Sequence, residues 1–77
     1  MFNLQICDAT NNRNMGDVAL GDGYESADLP ALAMTADATY ALLDHFAEGN
    51  RYELRVWKDD DIVASDTYTY TNGRLVK

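Results

Sequence analysis

A chain of 77 residues, 47% hydrophobic and 10% aromatic, suits one small domain that buries about 60% of its unfolded surface, and it is too apolar for intrinsic disorder. Thirteen acids against six Lys and Arg leave a formal charge of −7, which speaks against direct nucleic-acid binding through phosphate neutralisation and against docking on an anionic membrane. The longest strictly apolar run, Leu29 to Met34, is too short to span a bilayer, no basic and apolar signal segment opens the chain, and the single Cys7 allows no internal disulfide, so a cytoplasmic setting is expected.

The first segment alternates with period two. Phe2, Leu4 and Ile6 point one way and Asn3, Gln5 and Cys7 the other, as in a half-buried strand. Asn11 to Asn14 form a polar loop, and Val18 and Leu20 mark a second short strand running toward Tyr24, so a hairpin is expected here. From Ser26 to Ala47 the period becomes helical: Leu29, Leu32, Ala36, Thr39, Leu43, Phe46 and Ala47 fall within about one 100° sector. Two readings stand. One is an unbroken helix with Ser26 as N-cap, Asp28 in its first turn and Pro30 early enough to be tolerated; the other starts at Thr35, with residues 28–34 outside it. Residues 36–47 are helical in both, and Gly49 supplies the stop.

Arg51 to Trp57 alternates again, with Tyr52, Leu54 and Val56 on one side. Asp59 to Asp61 make a turn, and Ile62 to Thr71 return as a strand rich in residues that favour a pleated surface. A three-residue turn pairs Lys58 with Ile62, Val56 with Ala64 and Tyr52 with Tyr68, and sets Trp57 across from Val63. Asn72-Gly73 is a two-residue hairpin signal that makes Leu75 and Val76 a candidate fifth strand. The fold expected is α+β: a small antiparallel sheet of four strands, or five, with one helix packed on one face, in the order ββαββ. The covered face carries Phe2, Leu4, Ile6, Val18, Leu20, Tyr52, Leu54, Val56, Ile62, Ala64, Tyr68 and Tyr70, and the other face is almost wholly polar.

No motif names a reaction. His45 lies away from the apolar sector and lacks an orienting partner, so an exposed side chain is expected. Cys7 falls on the polar face, where only an adjacent Arg51 or Arg55 could activate it. Asp59-Asp60-Asp61 fails the calcium-loop pattern, since Ala64 and Tyr70 stand where that loop needs Gly and Glu. Gly21-Asp22-Gly23 lacks the helix start and Lys of a phosphate cradle. No catalytic residue, metal site or cofactor is expected, and the chain reads as a non-enzyme.

The informative irregularity is charge. Between Arg13 and Arg51 lie 37 residues without Lys or Arg that hold seven acids: Asp17, Asp22, Glu25, Asp28, Asp37, Asp44 and Glu48. The rest of the chain holds six acids and six bases, so the whole net charge sits in the middle. On one helix Asp37, Asp44 and Glu48 fall within about 40° of one another, opposite the core sector, with Asp44 and Glu48 a like-charged i,i+4 pair. An ordinary solvated face accounts for these three acids as well. Trp57 falls by parity on the polar face beside Arg55, either as an interface residue or as a cover for the sheet edge.

With its base-free acidic block from Asp17 to Glu48 and no catalytic constellation, the chain resembles in type the small phage-encoded anti-CRISPR inhibitors, and it is similar in character to the acidic immunity proteins that block nucleases. The resemblance implies stoichiometric binding to a nucleic-acid-handling complex. The function expected is an inhibitor that meets a protein partner's basic surface through Asp37, Asp44 and Glu48, with Asp17, Asp22, Glu25 and Trp57 contributing. The alternative is a structural or assembly subunit that uses sheet edges or the Thr-rich face.

Overall fold

The alternating segments form strands where their period places them. In the computed structural model, which describes residues 1–21, 29–35 and 37–77, the chain runs β1 (Phe2–Asp8), β2 (Arg13–Leu20), the helices α1 (Leu29–Thr35) and α2 (Asp37–Leu42), a 3₁₀ turn (Leu43–His45), β3 (Arg51–Lys58), β4 (Asp61–Thr71) and β5 (Arg74–Val76). It is a small α+β domain. Among the described residues five strands form one antiparallel sheet in the order β2-β1-β3-β4-β5, so β3 is central.

Both expected hairpins form; the sequence leaves the register of the first open and pairs the second as found from Tyr52 to Val56. Phe2 pairs with Leu20 and Leu4 with Val18; Val56 pairs with Ala64 and Tyr52 with Tyr68. The strand β2 starts earlier than expected, at Arg13, and Tyr24 lies outside the described residues. Asn72 (φ 54°) and Gly73 (φ 79°) take the left-handed conformations that an Asn-Gly hairpin turn requires, which brings β5 onto β4. The acidic turn corrects the expected register. Lys58 pairs with Asp61 and Trp57 with Ile62 across a two-residue turn, and the register shift leaves Val63 as an extra residue. Ile62 therefore shares the polar side with Trp57 and is 48% exposed, instead of joining the core.

The core joins Phe2, Leu4, Ile6, Tyr52, Leu54, Val56 and Tyr68 of the sheet to Leu29, Leu32, Ala33 and Phe46. Val18, Leu20, Ala64 and Tyr70 pack against it, partly buried. Gly16 faces Ile6 across β1 with φ 145°, and a Cβ there would stand 3.8 Å from Leu42 Cδ1, so β2 and α2 approach closely at this point.

The helical region ends sooner than the period suggests. Leu43 to His45 tighten into a 3₁₀ turn, and Phe46 and Ala47 lie beyond it. Phe46 leaves the helix because its ring stacks on Tyr52, with centroids 4.4 Å apart, and meets Tyr70 edge-on at 5.4 Å. The Ala47 N–H then donates to the Tyr52 hydroxyl at 2.7 Å, which gives the departing backbone a partner that helix continuation would have supplied. Position 36 between α1 and α2, the expected N-cap Ser26 and the expected first-turn Asp28 lie outside the described residues.

Thr39 on α2 is buried, and its hydroxyl meets no hydrogen-bond partner among the described residues. An unmatched buried hydroxyl costs about 1–3 kcal/mol. Thr39→Val keeps the shape and removes the polar atom, so it should raise stability by about 1 kcal/mol, seen as a melting temperature several degrees higher. Thr39→Ser, which keeps the hydroxyl, should show no such gain.

Candidate functional site: the polar sheet face around Trp57

Opposite residues of an antiparallel pair point to the same side, so the register lays out the polar face in rows. One row runs Ala19, Asn3, Trp57, Ile62; the next runs Asp17, Gln5, Arg55, Ser65; a third runs Asn14, Cys7, Glu53, Thr67. None of these side chains is buried. Trp57 sits on the central strand, and its indole N–H reaches diagonally to donate to Gln5 Oε1 on β1 at 2.8 Å. That bond ties the N–H edge of the ring to β1.

The indole borders a shallow cleft of about 270 Å³, lined also by Asn3, Gln5, Asn14, Asp17 and Asp59. The two carboxylates differ in their state. Asp59 accepts from the Met1 ammonium at 2.9 Å, and that contact holds its carboxyl below the ordinary range. Asp17 is exposed and carries no ion pair among the described residues. The nearest cation of its row, Arg55, is two strands away and committed along β3: its Nε and Nη2 both reach Glu53 Oε1, at 2.7 and 2.6 Å. The Glu53 contact pushes the Arg55 guanidinium further up, so its charge is fixed.

The structure brings Asp17 and Trp57, two of the residues expected at a partner surface, to one cleft. The single helical face expected for Asp44 and Glu48 does not form. Asp44 is exposed in the 3₁₀ turn, whereas Glu48 lies in the following turn and accepts from the Asn72 N–H at 3.0 Å. The pairing of Phe46 with Tyr52 ends the helix before Glu48 and breaks the i,i+4 relation. Asp37 is the first residue of α2; Asp22 and Glu25 lie outside the described residues, as does Gly23 of the glycine pair. Trp57 faces Ile62, not Val63.

His45 is exposed, beside a second cleft lined by Arg13, Asn14, Met15 and Leu42. Cys7 is half-buried across from Glu53. No group of three or more His, Cys, Asp or Glu suited to a metal ion occurs among the described residues. Asn3, Gln5 and Asn14 were legible as polar-face or loop residues, but their place around the indole depends on β1 lying between β2 and β3. No described helix is long and apolar enough to cross a membrane. Set against protein-family models, curated proteins and solved structures, the chain matches none of them significantly.

Proposed function

We propose that this chain is a non-enzymatic, cytoplasmic protein-binding inhibitor of the phage-encoded anti-CRISPR type, which occupies a basic nucleic-acid-binding surface on a host defence or nuclease complex. In this reading the domain is a ββαββ body whose helical segment packs on one sheet face, and the acidic middle of the chain meets the partner. The observation that carries it is where charge is left unmatched. Outside the base-free segment, four of the six acids, Asp8, Glu53, Asp59 and Asp66, have a cationic partner, in Arg13, Arg55, the Met1 ammonium and Lys77, and only Asp60 and Asp61 of the exposed turn have no ion pair among the described residues. Within it, Asp17 and Asp44 are exposed and Glu48 holds only a backbone N–H, with no ion pair among the described residues. Uncompensated carboxylates on one stretch of chain favour fast encounter with a basic surface and imitate a row of phosphates.

The test is capture on the immobilised protein from a bacterial lysate at low and at physiological salt, with the captured proteins identified by mass. Expected are proteins whose own ligand is nucleic acid, displaced by short duplex DNA and with an association rate that falls as salt screens the charges. The triple variant Asp37→Lys, Asp44→Lys, Glu48→Lys should lose capture while staying folded, with only the small drop in melting temperature that follows from losing the exposed Glu48 contact to the Asn72 N–H. Unchanged affinity in that variant removes the proposal. One observation favours the assembly reading: β5 pairs only with Thr69–Thr71, so the stretch from Asp61 to Thr67 has no strand beyond it among the described residues. A mass that rises with concentration, with no salt effect on association, would decide for that reading.

A further inference from the structure

We propose that the cleft beside Trp57 receives a single arginine side chain of the partner, its guanidinium lying against the indole and bonded to Asp17. This rests on the reading above and names the group that the acidic surface recognises. Three features point to that ligand. The cleft, at about 270 Å³, is smaller than the roughly 300–1,000 Å³ of small-molecule pockets, and its size suits one side chain. Its one carboxylate without an ion pair among the described residues is Asp17, so a cation gains there what a neutral group does not. Its aromatic wall is positioned before binding, because the Gln5 contact holds the indole on β1 and removes most of the ordering cost.

The chemistry favours arginine over other occupants. A guanidinium is planar, stacks on an aromatic face and carries five donors, which can serve Asp17 together with the amide oxygen of Asn3. A phosphate or nucleotide would be repelled by Asp17 and by the net charge of −7. A sugar or other neutral ring could lie on the indole but would leave Asp17 unused. The chain's own Arg55 does not compete, since Glu53 draws its guanidinium along β3 and away from the Asp17 row.

Trp57 is the only tryptophan, so its indole N–H resonance reports this cleft alone. The experiment titrates the ¹⁵N-labelled full chain with the peptide acetyl-Gly-Arg-Gly-amide, with its citrulline counterpart, and with free inorganic phosphate. The expected result is a saturable shift of the Trp57 indole and Gln5 side-chain signals by the arginine peptide, with the citrulline peptide binding about tenfold more weakly and phosphate producing no shift. Asp17→Asn, an exposed change on an edge strand, should weaken the arginine peptide by a similar factor while the remaining amide signals stay in place. Equal shifts from the arginine and citrulline peptides, or an Asp17→Asn variant that binds arginine as well as the parent, would overturn the proposal. Failure here and failure of the inhibitor reading separate cleanly. A partner captured equally by the parent and by Asp17→Asn, with no peptide shift, removes the arginine cleft and keeps the inhibitor. An indole shift that depends on Asp17, with no nucleic-acid-handling protein captured, keeps the cleft and removes the inhibitor.

Discussion

Tyr52→Ala is expected to leave the chain largely unfolded. Tyr52 is 1% exposed on the central strand, its ring stacks on Phe46, and its hydroxyl accepts the Ala47 N–H. Truncating a buried aromatic costs about 3–5 kcal/mol, against a total stability of about 5–15 kcal/mol with the low end usual for so small a domain. Tyr52 also joins two parts of the chain, because losing it frees Phe46 and the backbone that leaves the helical segment. Tyr52→Phe separates the two contributions. It keeps the stacked ring and strands the Ala47 N–H, so it should lose only about 0.5–1.5 kcal/mol. Urea denaturation of the three proteins measures both, with an unchanged slope showing that the two-state comparison holds. A Tyr52→Phe loss as large as that of Tyr52→Ala would mean that the hydroxyl, not the ring, holds the helix end.

Asp8→Ala is expected to be the most damaging change to a charged residue, and its effect should depend on pH. Asp8 is the one buried acid among the described residues. Its Oδ1 accepts the backbone N–H groups of Thr10 at 3.0 Å and Asn11 at 2.9 Å, and its Oδ2 accepts Asn11 Nδ2 at 2.9 Å with Arg13 Nε at 3.8 Å. These contacts close the β1–β2 turn as an Asx turn does. They also hold the carboxyl below its ordinary value of 3.8, with the Asn11 side chain the largest cause, and the Asn11 and Thr10 backbone donors and Arg13 lowering it further against the opposing effect of burial. A carboxylate whose folded pKa is lowered binds protons more readily when unfolded. Its contribution is therefore complete above the ordinary value and is lost as the pH falls through the lowered, folded value. Thermal melts from about pH 7 down to pH 2 should show the parent losing stability over that acid limb. Asp8→Ala should be less stable at neutral pH and flatter on acidification. Asp59 is lowered by the Met1 ammonium and titrates in the same direction, so Asp59→Asn is the necessary control. If the acid limb disappears in Asp59→Asn and persists in Asp8→Ala, the Asx turn is not its source.

The two changes bear on the proposed surface from opposite sides. Both act within the body that holds the polar face, and neither residue lines the Trp57 cleft. A partner-binding loss in either should follow the melting curve, whereas Asp17→Asn should reduce binding with the melting curve unmoved.

The strands were legible because alternation is a local property. Phe2, Leu4 and Ile6 declare a face whichever strand lies beside them, as do Tyr52, Leu54 and Val56, and a short turn joins β3 to β4 with few possible registers, whereas the longer β1–β2 loop leaves its register open. The tip of the β3–β4 hairpin was misread because three consecutive Asp residues fit a two- or a three-residue turn equally well. The choice was made by the extra residue Val63, whose insertion moves Ile62 to the polar side. The helical period over-ran its true end for a related reason. Phe46 and Ala47 fit the apolar sector, yet Phe46 gains more by stacking on Tyr52 and Tyr70, side chains that arrive from β3 and β4.

The amino-acid sequence by itself determined which side chains share a face, where the Asn-Gly turn returns the chain, and that all the net charge belongs to the stretch between Arg13 and Arg51. Only the tertiary structure decided that β1 enters the middle of the sheet beside β3, that Trp57 finds Gln5 from 52 residues away, and that Asp17 stands at the same cleft. Periodicity is set by the geometry of one strand, whereas adjacency is a competition among pairings of similar local energy. That competition is resolved by which arrangement buries Leu4, Ile6, Leu54 and Val56 completely, and the polar face inherits its neighbours from the result.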